Sequence, residues 1–455
     1  MIKKKYFILL NFSGAGSKLL QAQLGNFKEV FTLPAYPLIY FPFLFEKWNK
    51  NQNLKPLKIF NLIYKHHASI FDTRKLKGFN GLNNLGKNKK GYIKISKEKF
   101  KKNFIESLKK KNINQKNLIN AIHKSYQYSI NNKKKYTLYH VHNIDTYSIY
   151  LKNDFKNEKI LATTRHPTYN FWRRAYADDK IDQARFDCTD YENLKNYRYI
   201  TRLRDLYLQF LYCDLETNKK FKLIKFEDLK TKNKETLKKI SKFLNIKFSN
   251  SQNYIPSFNN KEWYGSKIYK GHSSKKSFIS DSFNIEQDLN SFSKYEIFIL
   301  EFTLLPFLKK LNYKPISKVK NDLVSYIVFL LFLFFPTKYG LKIFFSRLRF
   351  KTIKNYLKNA FSEIFNANQK NYYFNAMYKY KWSYKLSIFI KGNLVRKLSY
   401  SYKNNKIINC LSFFIKFLLY FVIQIEIIAL YFVKIYYILA LFFLVRNKLK
   451  YISKL

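Results

Sequence analysis

Three short segments of this chain combine residue types that can do chemistry together. The first is Phe12-Ser13-Gly14-Ala15-Gly16-Ser17-Lys18-Leu19-Leu20. An apolar run, Tyr6–Phe12, enters two glycines, and helical spacing begins at Lys18. Glycine accepts backbone angles that turn successive N–H groups inward. Such groups, with the N-terminus of the next helix, make a cup for an anion. The candidate cup is Ser13, Gly14, Ala15, Gly16, Ser17, Lys18 and Leu19, with Ser17 adding a hydroxyl and Lys18 a point charge. A plain turn between a core strand and a helix reads from the same residues. The nucleoside-triphosphatase pattern requires Lys directly after the second glycine, and Ser17 intervenes here.

The second segment runs from Lys159 to Thr164, then Arg165, His166 and Pro167, with Arg173 and Arg174 further on. A strand ending in Arg165 puts a guanidinium at the carboxyl edge of a sheet, where α/β folds bind ligands. Pro167 suits the first turn of a helix, because its missing N–H would be unpaired there. Arg173 lies eight residues on, about two helical turns, so both guanidinia can reach one phosphate. A surface ion pair with the acid-rich stretch Asp178–Glu192 is the alternative. The third segment is Phe226-Glu227-Asp228-Leu229, after a strand over Phe221–Lys225 and before a helix ending at Phe243-Leu244. Its carboxylates are read as capping that helix. Seven His are available as general bases near neutral pH. His142 is the first candidate and His140 the second; they flank Val141 near a strand end, so both should point to one face. A metal reading of this pair lacks a third ligand. Glu29 is another candidate base, with a surface carboxylate as its alternative.

These residues need a framework. Short apolar runs at Tyr6–Phe12, Tyr136–Val141, Lys159–Thr164 and Phe221–Lys225 alternate with helical spacing after Lys18, over Glu192–Leu215, Lys232–Leu244 and Ile285–Leu311. That alternation predicts an α/β fold with a parallel sheet covered by helices on both faces, three layers in all. Residues 78–91 hold four of the eleven glycines and read as an exposed loop. The basic start, Met1–Lys5, followed by a short apolar run is also the outline of a signal peptide, but seven apolar residues containing Asn11 fit a first strand better.

Composition bounds the rest. The chain has 455 residues, with 47% hydrophobic and 19% aromatic, enough apolar mass to exclude a disordered chain. Three scattered Cys exclude a disulfide scaffold and a Cys-rich zinc module and suit a reducing compartment. The net charge is +56. Lys, Asn, Ile, Phe and Tyr are all abundant, as an AT-rich coding bias would produce on solvated faces. A nucleic acid or an anionic membrane would also select a basic chain. Seven of the 12 Arg lie between Arg165 and Arg204, against that bias. Arg resists replacement by Lys where its planar fork grips phosphate.

The three segments, in this order and spacing, resemble the sulfotransferase family over about residues 5–312. The resemblance implies a P-loop-like fold and 3′-phosphoadenosine 5′-phosphosulfate as donor, with no metal. It implies that Ser13–Leu19 hold the 5′-phosphosulfate and that Arg165, of an Arg-x-Pro signature, holds the 3′-phosphate. A late basic loop containing Lys267, Lys270 and Gly271 is similar to the family's nucleotide-closing loop. Two positions depart from the pattern: Gly14 stands where the family has a basic residue, and Arg173 where it has a Ser. Lys18 is the candidate to replace the missing base-loop cation at the leaving oxygen.

Past residue 316 the composition changes. Residues 323–336 are uncharged, residues 338–406 carry 16 Lys plus Arg against Glu363 alone, and residues 407–445 are apolar but for a thin polar stripe. Domains are therefore expected at 1–315, catalytic, and 316–455, an all-α, hydrophobic and basic extension. Three readings of the extension stay open: a span with its stripe facing protein, helices in the interface of an anionic membrane, or a soluble helical domain. The expected function is transfer of a sulfonate to a hydroxyl of a glycan or lipid-linked glycan, at the cytoplasmic face of a membrane, with no specific nucleic acid partner. The alternatives are an ATP-dependent P-loop phosphotransferase and a non-enzymatic basic protein that binds membrane surfaces.

Overall fold

The computed structural model describes residues 5–12, 15–34, 55–75, 82, 85–109, 111–172, 175, 191–212, 220–250, 255–264, 292–337 and 431–447. Strand β1 (Lys5–Asn11) is buried from Tyr6 to Asn11 without a break. Neighbouring side chains of a strand point to opposite faces, so unbroken burial means that both faces of the sheet are covered. There follow α1 (Ser17–Leu24), β2 (Val30–Thr32), α2 (Pro56–His66), α3 (Lys97–Leu108), α4 (Gln115–Ser129), β3 (Tyr136–Asn143), α5 (Ile144–Tyr150), β4 (Lys159–Thr164) and α6 (Pro167–Trp172). Then come α7 (Tyr191–Tyr212), β5 (Phe221–Lys225), α8 (Phe226–Thr231), α9 (Asn233–Leu244), the hairpin β6 (Ser257–Phe258) and β7 (Lys261–Glu262), α10 (Lys294–Lys310) and α11 (Leu323–Leu333). A helix over residues 431–447, α12, is the last described element.

The first five strands form one parallel sheet in the order β2-β3-β1-β4-β5. The chain leaves central β1 towards one edge and later crosses to the other. The carboxyl end of β1 is therefore where the connections diverge, the usual ligand crevice of such sheets. Register makes that edge flush: Asn11 pairs with Asn143 on one side and Thr163 on the other, and Thr164 pairs with Lys225. The segments starting at Phe12, Ile144, Arg165 and Phe226 thus all leave one edge. A register shift between Leu9 and Leu10 skips Val141, a β-bulge in β3.

The chain clusters into two compact units, residues 1–170 with 211–287 and residues 171–210 with 288–455. The first holds the whole parallel sheet. The compositional break near 316 falls inside the second. Within the first unit, Leu82 and Leu85 are buried and Leu85 bridges Gly91 through paired backbone hydrogen bonds of 2.9 and 2.8 Å. The expectation of an exposed loop at 78–91 holds for Lys87, Asn88, Lys89 and Lys90, which are exposed, and is corrected for Leu82 and Leu85, which are buried. Within the second unit, Ser293 and Glu296 form a capping box at the start of α10. Phe302, Phe329 and Phe442 cluster at 5.1–5.9 Å, and the Arg446 guanidinium lies 3.4 Å from the Phe442 ring centroid. Lys434, a member of the 407–445 polar stripe, is buried and donates to the Phe335 carbonyl at 2.5 Å. Among the described residues, no helix is long and apolar enough to cross a membrane.

Candidate functional site

The turn after β1 is shaped by β1 itself. Asn11 is buried, and its Oδ1 accepts from the Ala15 N–H at 2.6 Å and from the Thr163 hydroxyl at 3.2 Å. Phe12 N–H donates to the Thr163 carbonyl at 2.7 Å. One amide side chain therefore ties the turn to the end of β4. Gly16 follows at φ +78°, the left-handed region. A Cβ there would fall within the Phe226 ring. Gly16 starts α1, and its carbonyl accepts from Leu19 N–H at 2.9 Å and Leu20 N–H at 3.3 Å.

Behind the turn, His140 is buried. Its Nδ1 lies 2.9 Å from Gln21 Oε1 and its Nε2 3.0 Å from Ser17 Oγ. Gln21 Nε2 donates to the Leu33 carbonyl at 2.7 Å, which orients the amide so that its oxygen faces His140. An amide oxygen only accepts, so Nδ1 carries the proton. In the neutral ring Nε2 is then the acceptor, and Ser17 Oγ–H donates to it. The chain Gln21–His140–Ser17 holds the hydroxyl at the start of α1 in one orientation.

On the other side of the edge, Arg165 is partly buried and its guanidinium lies 5.4 Å from the Phe226 ring centroid. Phe226 thus touches both the Gly16 turn and Arg165. Next to Arg165, the His166 N–H donates to Glu227 Oε1 at 2.9 Å. The carboxylates of Glu227 and Asp228 are expected to cap the helix ending at Leu244, but that helix, α9, has no side-chain cap. The Glu227 carboxylate instead ties the start of α8 to the Arg165-His166-Pro167 segment. One turn along α8, Lys230 is buried, 5% exposed, and burial beside the Arg165 charge pushes its amine down to about 8.

The expected residues divide as follows. Gly16, Ser17, Lys18 and Arg165 leave the same sheet edge, Lys18 half-buried at the second position of α1. The N–H groups of Ala15 and Leu19 are taken by Asn11 and Gly16, so the expected cup does not include them. His140 stands behind the turn with both ring nitrogens bonded to protein, a position that suits holding Ser17 better than deprotonating an acceptor. For His142 the backbone lies in β3, past the Val141 bulge that breaks the simple alternation; its side chain lies outside the described residues. Ser13, Gly14, Arg173, Lys267, Lys270 and Gly271 also lie outside them. Glu29 is corrected. Its carbonyl accepts from Tyr136 N–H, where β3 begins, and its carboxylate accepts from Lys247 N–H, so it belongs to the opposite edge of the sheet. Sequence reasoning missed Asn11, Gln21 and Lys230 and gave Phe226 no role. A polar residue ending an otherwise apolar strand, as Asn11 does, was the available signal. Among the described residues no group of three or more His, Cys, Asp or Glu could hold a metal ion.

No protein-family model and no curated protein matches the chain. Among solved structures, it is similar to a sulfotransferase domain from the curacin biosynthetic pathway. The identity is 12% and the TM-score 0.34, over 69% of this chain and 99% of that one. A likeness of that size leaves the functional argument to the site.

Proposed function

We propose that the chain is a sulfotransferase that takes 3′-phosphoadenosine 5′-phosphosulfate and passes its sulfonate to a hydroxyl of a glycan or lipid-linked glycan. The observation that carries the reading is the meeting of the Gly16 turn and Arg165 at one sheet edge, through the single ring of Phe226. The residues there fit an anionic, phosphate-bearing ligand: a glycine kept bare of Cβ, a helix start and two basic side chains, Arg165 and Lys230. The motif resemblance supplies the choice of sulfonate donor.

In that reaction the bond from sulfur to the bridging phosphate oxygen breaks, and one from sulfur to the acceptor oxygen forms. Negative charge grows on the departing oxygen, so donors fixed in advance near it contribute most. Lys18 and the start of α1 are the groups proposed to serve there, with Ser17 oriented by His140. The acceptor proton leaves to a base, for which His142 remains the candidate.

Binding of adenosine 3′,5′-bisphosphate to the full chain tests the reading by calorimetry. Wild type should bind it in preference to ATP with Mg²⁺, and Arg165→Ala should weaken it by roughly 10- to 100-fold, the loss of a charged phosphate contact. Wild type that ignores the bisphosphate, or an Arg165→Ala chain that binds as well as wild type, sinks it.

The C-terminal region is proposed to hold the chain at the cytoplasmic face of an anionic membrane. Support comes from the 16 Lys plus Arg of residues 338–406 and from the outward apolar side chains Leu323, Val324, Leu331 and Phe334. The full chain should sediment with phosphatidylserine vesicles at low salt and largely stay in solution at high salt. No sedimentation at low salt would reject the proposal.

A further inference from the structure

We propose that Asn11 binds the ligand directly: its amide nitrogen donates to an oxygen of the tetrahedral anion seated at the start of α1. The inference rests on reading this edge as a nucleotide site, and it adds a binding residue that neither the motifs nor the resemblance includes. Asn11 ends β1 and is 3% exposed, although Asn is mostly a surface residue. The orientation of its amide follows from the bonds around it. The Ala15 N–H, at 2.6 Å, can only donate, so the atom that meets it is Oδ1. The Thr163 hydroxyl, at 3.2 Å, gives that oxygen a second donor. With both lone pairs of Oδ1 engaged, the amide cannot flip without losing the two bonds. The bond to Ala15, four residues on, also puts the amide within the turn. Nδ2 is therefore held in one place there, and no described residue accepts a hydrogen bond from it.

A donor on so buried a side chain is destabilising while it lacks an acceptor, and native proteins leave few of them. Its surroundings have the same deficit. Gly16 starts α1 with no side-chain cap, and the N–H groups of Gly16 and Ser17 have no acceptor among the described residues. The first N–H groups of a helix have no partner within it, and they carry the positive end of its dipole. Three donor groups of one turn are thus left for a ligand, and one of them belongs to a side chain fixed from behind by β4.

A set made only of donors suits a group made only of acceptors, which the terminal oxygens of a phosphate or sulfonate are. Oδ1 takes up the Ala15 N–H, which is then lost to an anion, and Nδ2 offers two N–H bonds in its place. Asn11 thus does two things at once. Its oxygen shapes the turn and ties it to β4, and its nitrogen completes the donor set that the turn presents.

Asn11→Asp separates the two roles. Asp has the same shape and keeps an acceptor for Ala15 and Thr163, but it puts an anionic oxygen where Nδ2 was. The test is calorimetric titration of the full chain with adenosine 5′-phosphate, adenosine 3′-phosphate and adenosine 3′,5′-bisphosphate. The Asp variant should melt close to wild type. It should bind the bisphosphate roughly 30- to 100-fold more weakly, since a hydrogen bond to a charged group is lost and a like charge replaces it. The loss should fall on one monophosphate, the one whose phosphate sits at the turn, and Arg165→Ala should weaken the other one instead. Damage to the fold would weaken both alike. Asn11→Ser, too short to reach from β1 to the ligand, should shift the same ratio of monophosphate affinities by about tenfold, so the test stands even if the Asp variant fails to fold. Variants at Asn11 that bind the bisphosphate like wild type, or that weaken both monophosphates equally, overturn the contact and leave the nucleotide reading standing. Wild type that binds none of the three overturns both.

Discussion

Gly16→Ala should unfold at a lower temperature than wild type and lose its grip on adenosine 3′,5′-bisphosphate. Two effects add. At φ +78° an alanine pays the left-handed penalty, about 1–2 kcal/mol. Its Cβ would also land in the Phe226 ring, which must move. Displacing a packed ring costs about 1–3 kcal/mol more. A total of roughly 2–5 kcal/mol lowers the melting temperature of a domain this size by about 4–20 °C. The binding loss has a separate origin. Phe226 also supports Arg165, so moving the ring disturbs the phosphate contact even where the fold survives. Combining Gly16→Ala with Phe226→Ala separates the parts. The double variant should be more stable than the two single losses predict, because the clash is gone and only the backbone penalty remains. Equal melting temperatures for wild type and Gly16→Ala, with equal nucleotide affinity, would remove the turn from the site.

Glu301→Ala should produce the largest stability loss in the second unit. Glu301 is fully buried in α10 and receives three hydrogen bonds from the chain beyond that helix. Oε1 accepts from Ile316 N–H at 2.8 Å; Oε2 accepts from Ser317 N–H at 2.7 Å and from the Ser317 hydroxyl at 2.5 Å. Bonds to an ionised carboxylate are stronger than neutral ones, and the donors left behind lose their acceptor. Together this is about 3–5 kcal/mol. Glu301→Gln should fall between, since the amide keeps one acceptor and turns a donor towards donors. The readout is local as well as global. Released from Glu301, the connection with Lys314, Lys318 and Lys320 should become a trypsin target, seen as a new cut between α10 and α11. An Ala variant that melts like wild type and gains no cleavage there would show that the carboxylate is not the clamp.

The same residue joins the two sides of the compositional break near 316. Residues before and after it differ in charge and hydropathy, and this much is written locally. The clamp from Glu301 to Ile316 and Ser317 ties the two sides together, and the compact unit continues through the break. A change in composition marks a change of surroundings. It does not mark where contacts stop.

Much of the first unit could be read from the chain alone. Lys159–Thr164 and Phe221–Lys225 are strands with the expected bounds, β1 and α9 begin and end within a residue of expectation, and α1 and α6 begin within a residue of it. Apolar runs, helical periodicity, glycines and a proline act over a few residues, so they state what each stretch buries and where it turns. From them come the α/β alternation, the position of Arg165 at a strand end and the turn at Gly16. Which ends lie side by side was decided by the fold. Only the order β2-β3-β1-β4-β5, with Asn11 level with Thr163, puts the Gly16 turn beside Arg165. Only the packing of α8 gives Phe226 its two contacts and brings Lys230 in from more than sixty positions away. Pairing over such separations depends on how whole strands and helices share one core, and no short window of residues carries that energy.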